Sequence, residues 1–233
     1  MGRKEMGGWH RLLQVWGVRC NTRRRVSELN LFGTRIRDDE DLGNWYLNLS
    51  DFQAFDDIKI LDLSDDNITG FVENKGNETF SWQVSLESLD LSWNHLSNND
   101  IISFLNGFYH LKNLNLSFND LSNDHIISVL SGFQHLTSLT LDGNKLEGSL
   151  NISGICALSK LERLDLNNND NFSGFVVPQG NERFSWQTCR PEVLALSGNN
   201  LSNDIISSLN WFQHLKFLDL SQNQLEGSLD IGG

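Results

Sequence analysis

The sequence predicts an α/β fold in which short parallel strands stack into one long sheet, with helical turns and loops returning behind it. Three observations predict this fold. The pattern LxxLxLxxNxL recurs along nearly the whole chain, its copies follow one another about every 25 residues, and two leucines in each copy alternate with polar residues. Alternation with a period of two is typical of a strand buried on one face, and a regular period of this length is typical of a solenoid.

Eight repeat units can be aligned. Four match the pattern closely and begin at Leu86, Leu111, Leu136 and Leu215, and four weaker ones begin at Val26, Ile58, Leu161 and Pro191. Because no single unit can form a closed core, the leucines of successive units must pack together into one shared core. The sequence therefore predicts a leucine-rich-repeat solenoid, a curved horseshoe with its parallel sheet on the concave face. One buried column should contain Leu61, Leu89, Leu114, Leu139, Leu164, Leu194 and Leu218.

The asparagine of the motif lies where the chain turns away from each strand, so its side chain is expected to satisfy buried amides and carbonyls of the turn. Asp66 replaces it in the second unit and Thr34 in the first, where this ladder should be weaker. The motif asparagines are Asn94, Asn119, Asn144, Asn169, Asn199 and Asn223.

The halves that return between strands, such as IISFLNGFYHL from Ile101, space their apolar residues at three to four. This spacing predicts short helical turns on the convex side. Two longer connections share a duplicated segment, FVENKGNETFSWQ and FVVPQGNERFSWQ. Trp82 and Trp186 are expected to anchor these two loops.

The domain prediction is a degenerate amino-terminal cap region over residues 1–25 and a repeat domain of about eight units over 26–233, truncated at its carboxyl end. A solenoid without a cap leaves leucines of its last unit in water. Partial exposure is therefore expected at Leu218, Leu220, Leu225 and Leu229.

Charge and cysteine content restrict the partners. The net charge is −12, and residues 1–25 carry seven Lys/Arg against Glu5, which leaves −18 on the rest. Such a field disfavours binding to nucleic acid.

The start, MGRKEMGGWH, lacks the apolar region of a secretory signal, and no stretch reaches 18 apolar residues, so neither export nor membrane contact is predicted for the chain as written. Three distant cysteines, Cys20, Cys156 and Cys189, define no disulfide framework.

The sequence contains no constellation for catalysis, so neither an enzyme nor a cofactor is expected. His110, His135 and His214 precede the first leucine of units four, five and eight. Because they recur with the solenoid's period, a structural role is expected rather than general-base catalysis. A metal bridging His110 and His135 would lack an evident acidic third ligand, and no metal site is predicted.

The polar positions around the paired leucines form the expected binding surface. Trp93 and Phe118 occupy the same position of adjacent units, so their rings should lie side by side, about 5 Å apart. Two alternatives to a binding role remain. The rings could only cover the concave edge, and the aspartate column, Asp62 to Asp219, could be an ordinary solvated surface. The predicted binding residues are Lys59, Glu87, Asp90, Trp93, Lys112, Asn115, Phe118, Thr140 and Asp165.

Seven N-x-S/T sequons are candidate glycosylation sites, as in a protein of the secretory pathway. One of them, Asn115, is doubtful because it lies in mid-strand, where a glycan would obstruct binding. The sequons are Asn48, Asn67, Asn77, Asn115, Asn151, Asn171 and Asn200.

The segment WGVRCNTRRRVSELNLFGTRIRDDEDLGNWYLNLS, together with GICALSKLERLDL from Gly154, resembles plant receptor-like proteins over about residues 14–233. The resemblance implies an extracellular ectodomain at the plasma membrane, without a kinase, which signals in defence or development through a co-receptor kinase. The family pairs cysteines just before the Trp-Gly-Val segment. Here Leu12 and Leu13 occupy those positions, so Cys20 is expected to lack a partner.

The favoured function is therefore recognition of a peptide or protein ligand on the concave face by a fragment of a receptor-like protein. One alternative is a secreted inhibitor of a microbial enzyme, although the Gly-x-Ile-Pro signature of such inhibitors is missing. The other is a cytosolic scaffold or a non-functional gene remnant, which the missing export signal and the odd number of cysteines favour.

Overall fold

The computed structural model describes residues 17–34, 45–72, 81–105, 107–122, 126, 130, 132–176 and 189–227. Within these ranges the repeats form thirteen strands, most of them only three residues long. In chain order they are β1 (Val18–Cys20), β2 (Val26–Asn30), β3 (Trp45–Leu47), β4 (Ile60–Asp62), β5 (Ile68–Phe71), β6 (Ser88–Asp90), β7 (Asn113–Asn115), β8 (Ser138–Thr140), β9 (Glu147–Asn151), β10 (Arg163–Asp165), β11 (Asn171–Val176), β12 (Val193–Ala195) and β13 (Phe217–Asp219).

Nine of the described strands form one sheet in the order β1-β2-β4-β6-β7-β8-β10-β12-β13. Each of the eight repeat units contributes one strand, and all eight are parallel to their neighbours. The ninth, β1, comes from the amino-terminal region and pairs antiparallel with β2. The leucine-rich-repeat solenoid predicted from the sequence is thereby confirmed.

The leucine column has the predicted register. Leu61 pairs with Leu89, Leu89 with Leu114 and Leu114 with Leu139, and the alignment continues to the last strand. The column is buried from Leu61 to Leu194. Leu218, in the last strand, is only partly buried, as are Leu220 and Leu225, whereas Leu229 lies outside the described residues.

Short helices return behind the sheet, as the spacing of apolar residues predicts. Asp100 helps to fix the start of one of them, because its carboxylate accepts a hydrogen bond from the backbone N–H of Ser97. Asn151 caps another by accepting from the N–H of Ser153. The helices are a 3-10 turn at Leu49–Phe52 and α-helices α1 (Ser81–Ser85), α2 (Asn98–Phe104), α3 (Ile152–Cys156) and α4 (Ile205–Leu209).

Two further parallel pairs, β3 with β5 and β9 with β11, lie outside the main sheet. The repeat pattern of the sequence does not predict these pairs. In the β9–β11 pair, Phe172 is buried and packs edge-on against Phe175, with ring centroids 5.5 Å apart. Trp82 and Trp186, which are predicted to anchor the two long loops, have side chains that lie outside the described residues.

The motif asparagines form a buried ladder. The side-chain N–H groups of Asn144 donate to the carbonyls of Leu116, Leu141 and Asp142, and its oxygen accepts from the N–H of Leu121. Each such residue therefore joins its own turn to the preceding unit. At the start of the ladder Asp66 is also fully buried and accepts from the N–H and hydroxyl of Thr34.

A disulfide joins Cys156 and Cys189 across 33 residues of sequence. Both cysteines are buried, so the bond ties α3 to the chain just before β12 within the core. Sequence reasoning missed this pair because the two cysteines occupy different positions of their units. Cys20 is an exposed free thiol at the end of β1.

Candidate functional site

The candidate site is the side of the main sheet turned away from the leucine core, called here the exposed sheet face. It is formed by the first and third residues of each three-residue strand, because side chains alternate across a sheet. Ile60 and Asp62 flank buried Leu61 in β4, and Phe217, 55% exposed, lies in β13 at the far end. This face runs across all eight repeat units.

Three of the predicted binding residues form two ion pairs beside the sheet. The Nζ atoms of Lys59 and Lys112 lie 3.1 Å and 2.6 Å from the two carboxylate oxygens of Glu87. The hydrogen bond from Lys112, followed by that from Lys59, lowers the pKa of Glu87. Because the three side chains are largely solvated, the ion pairs add little stability, but they order this part of the surface.

Two other predicted residues, Asp90 and Asn115, are hydrogen-bonded to each other in adjacent strands. The Nδ2 of Asn115 donates to Oδ2 of Asp90 over 2.9 Å, and Oδ1 of Asp90 accepts from the N–H and hydroxyl of Ser92. Asp62 has the same arrangement with Asn30 and Ser64. The donors to both carboxylates are therefore neutral groups.

Thr140 and Asp165 continue the same column along the sheet, and both are partly buried. Burial raises the pKa of Asp165, against the opposing effect of the hydrogen bond from the Asn167 N–H. The predicted column of side chains is present, and it changes from Asp62 and Asp90 to neutral Asn115 and Thr140 before Asp165.

Trp93 and Phe118 lie in the turns that follow β6 and β7. Their φ values are 57° and 52°, in the left-handed region that large side chains rarely adopt. The equivalent turn position has positive φ in every unit but elsewhere carries smaller or more flexible residues. These are Gly33, Asp65, Gly143, Asn168, Gly198 and Gln222.

The two rings are stacked, with centroids 4.1 Å apart and planes inclined by 16°. This confirms the predicted side-by-side arrangement. The next residue of the row, Gly143, makes room for it: a Cβ on Gly143 would come within 2.6 Å of the Phe118 ring. Trp93 nevertheless remains 52% exposed. The stack is therefore one aromatic surface at the edge of the sheet, with Phe118 enclosed between Trp93 and Gly143.

The histidines line the other edge of the sheet, where the strands begin. The rings of His110 and His135 are 5.3 Å apart, and Nδ1 of His135 is 3.2 Å from Nζ of Lys160. A cavity of about 230 Å³ adjoins them, lined by Thr137, Ser159, Lys160, Glu162, Arg190, Glu192 and His214. Among the described residues, no group of three or more His, Cys, Asp or Glu side chains is arranged to hold a metal ion.

The sequons differ in accessibility. Asn151, Asn171 and Asn200 are exposed, and Asn48 and Asn67 are partly buried. The Nδ2 of Asn115, to which a glycan would be attached, is the atom bonded to Asp90. Asn77 lies outside the described residues.

Comparison with known proteins agrees with this architecture. Two Leucine Rich Repeat family models match residues 84–105 and 214–232. The provisionally named receptor-like protein 8 of Arabidopsis thaliana is 33% identical over 91 residues, which are 38% of this chain and 8% of the relative. The chain is therefore a leucine-rich-repeat protein that is similar to the plant receptor-like class over part of its length. It matches only a small part of the length of that relative.

Solved structures share the fold of this chain. The ectodomain of the Arabidopsis receptor kinase HAESA, solved with the peptide hormone IDA and the co-receptor SERK1, covers 94% of the chain at 23% identity with a TM-score of 0.60, and 38% of its own chain is matched. Internalin C2 of Listeria monocytogenes covers 88% at 20% identity with a TM-score of 0.56, and 76% of its chain is matched. Among the residues that the structure describes, no helix is long and apolar enough to cross a membrane.

Proposed function

We propose that this chain is part of a receptor-like protein and that it recognises a peptide or protein ligand on its exposed sheet face, the concave face expected from the sequence. The observation that carries the proposal is the stacked pair of Trp93 and Phe118. Two large aromatic residues occupy strained left-handed positions, although six equivalent turns have residues that need no such packing. Strain of this kind is concentrated at functional sites, and exposed aromatic residues are typical anchors of protein interfaces.

The proposed site contains the residues identified from the sequence and uses the neighbouring polar column for specificity. The aromatic pair supplies apolar contact area, whereas Asp90, Asn115 and Thr140 supply hydrogen-bonding groups across three adjacent strands. Lys59, Glu87 and Lys112 border the site on one side, and Asp165 extends it toward the later units. Polar groups held in place by a sheet lose little entropy on binding.

The proposal extends to the cellular setting. The HAESA ectodomain was solved with a peptide hormone and a co-receptor, and by analogy this chain would present a ligand to a co-receptor kinase in defence or development. The disulfide between Cys156 and Cys189 favours an extracellular location over a cytosolic scaffold, because disulfides persist in oxidising compartments. Glycans are proposed at the exposed sequons Asn151, Asn171 and Asn200. The repeats over 26–233 would act as one domain.

The test is selection of a random twelve-residue peptide library against the full chain, followed by binding measurements on two matched variants. Asn113→Arg places a long side chain on the exposed sheet face, whereas Ser207→Arg adds the same charge at an exposed position on α4. Selected peptides should lose at least tenfold in affinity for Asn113→Arg and keep their affinity for Ser207→Arg. Equal binding to both variants would place the ligand elsewhere and contradict the proposal.

A further inference from the structure

We propose that the exposed side of the Trp93 ring binds an arginine side chain of the ligand, with Asp62 and Asp90 compensating its charge. This inference rests on the proposed function, because it names the chemistry of a ligand bound at the exposed sheet face. It is carried by three features of the structure: an indole with one face left uncovered by the stack, two carboxylates without a cationic partner among the described residues, and the spacing of one strand between those carboxylates.

The availability of the indole follows from the stack. Phe118 covers one face of Trp93 with nearly parallel planes, so the other face is directed toward the preceding unit. The backbones of the two turns lie next to each other there, because the N–H of Asp65 donates to the carbonyl of Ser92 over 3.0 Å. The aspartate at that turn position is much smaller than an indole. With one face of its ring covered by Phe118, Trp93 is still 52% exposed.

The charge comes from the neighbouring strands. Asp62 and Asp90 accept hydrogen bonds only from serine and asparagine groups, and no lysine or arginine of the described residues lies within 4 Å of either carboxylate. Glu87, one column away, is held by two lysines. The column beside the aromatic stack thus has negative charge that no lysine or arginine of the described residues compensates, within a repeat domain of strongly negative net charge.

The remaining hydrogen-bonding capacity favours arginine. A carboxylate has about four acceptor positions, and Asp62 and Asp90 each use three of them within the chain. Each carboxylate can therefore accept about one more hydrogen bond. The two carboxylates belong to adjacent strands, which lie about 5 Å apart. A guanidinium is planar, stacks on aromatic faces and donates along several edges, whereas the lysine ammonium is compact and strongly hydrated. The site therefore suits a flat cation with several donors.

The test uses two blocked synthetic peptides, acetyl-Gly-Ser-Gly-Arg-Gly-Ser-Gly-amide and its counterpart with citrulline, which has nearly the same shape but no charge. They are titrated into the full chain by NMR, and the backbone amides of Ser92 and Gly143 are followed. The arginine peptide should give saturable shifts at these amides with at least tenfold higher affinity than the citrulline peptide. Its affinity should fall when salt is raised from about 50 to about 500 mM.

Two variants locate the site. Trp93→Gly removes the ring at a position where other units have glycine, and Asp90→Thr introduces the residue that unit five has in this column. Each should weaken binding of the arginine peptide at least fivefold. The control Tyr109→Ala removes a 57% exposed aromatic ring outside the site and should leave the affinity unchanged.

The outcomes separate this inference from the proposed function. Equal binding of the arginine and citrulline peptides, or unchanged affinity in Trp93→Gly, overturns the inference. If library peptides without arginine bind and are lost in Asn113→Arg, the inference is wrong and the proposed function stands. If selected peptides bind equally to Asn113→Arg and Ser207→Arg, both are wrong.

Discussion

Each turn that leaves the main sheet contains two neighbouring residues whose side chains face opposite directions. Asn94 and Asn119 are directed into the molecule, where their amides connect successive turns. Trp93 and Phe118, one residue earlier in each turn, are directed outward and form the aromatic stack. The outward position varies from glycine to tryptophan in the described units, whereas the inward position is asparagine in all but the first two units.

The difference shows how a repeat protein can separate stability from recognition. At the inward position, three carbonyls and one or two amides must be satisfied in a buried turn, and an asparagine side chain matches this set. At the outward position only the backbone is constrained, to a positive φ. The cost of a large residue there is moderate, so that position is available for binding.

The largest expected effect is at the inward position. Asn144→Ala removes three donated hydrogen bonds and one accepted hydrogen bond from a buried turn and should lower the free energy of unfolding by about 3 kcal/mol. Urea denaturation of the full chain measures this. Asn113→Ala, on the exposed sheet face, should change it by less than about 0.5 kcal/mol. A loss below about 1 kcal/mol for Asn144→Ala would mean that water molecules take over the hydrogen bonds of the asparagine side chain.

The second prediction concerns the support of the aromatic stack. Gly143→Ala adds a Cβ at φ +62° that would meet the Phe118 ring at 2.6 Å, and should cost about 2 kcal/mol or more. Gly148→Ala is the matched control, because its φ is +61° and its Cβ would have no neighbour within 4 Å. That variant should cost about 1 kcal/mol. Equal losses would show that the ring moves aside freely.

A third variant tests the weaker start of the inward ladder. Asp66 supplies acceptors to Thr34 but, as a carboxylate, no N–H for the turn carbonyls that asparagine bonds in later units. Asp66→Asn should therefore raise the free energy of unfolding by about 1 kcal/mol. The exposed Asp170→Asn controls for the change in net charge. Destabilisation by Asp66→Asn would show that the second unit requires the carboxylate.

The smallest effect is expected at the outward position itself. Trp93→Gly loses the stacking with Phe118, worth about 1 kcal/mol, but relieves a left-handed tryptophan that costs about as much. Its stability should therefore change by less than about 1 kcal/mol. Trp93→Ala loses the ring and keeps the strained backbone, so it should be less stable than Trp93→Gly by about 1 kcal/mol. Thermal unfolding of the pair measures the strain directly.

Much of the site could be predicted because repetition converts sequence spacing into distance. Because Trp93 and Phe118 occupy the same position of adjacent units, strand spacing alone places their rings side by side. The same reasoning could not show that Lys59, Glu87 and Lys112 pair with one another, because long side chains adopt several conformations on a surface. Nor could it show that the stack lies in left-handed turns, since large residues are poor indicators of that backbone.

The repeat units, the buried leucine column and the structural role of the motif asparagines can be read from the amino-acid sequence, because they follow from local periodicity and from polar groups that must be satisfied when buried. Three other features arise only in the folded chain: the disulfide between Cys156 and Cys189, the side pairs β3–β5 and β9–β11, and the covering of one indole face by Phe118. Each of these depends on how connections of different length pack between units. That packing is set by contacts distant in sequence, which no local pattern records.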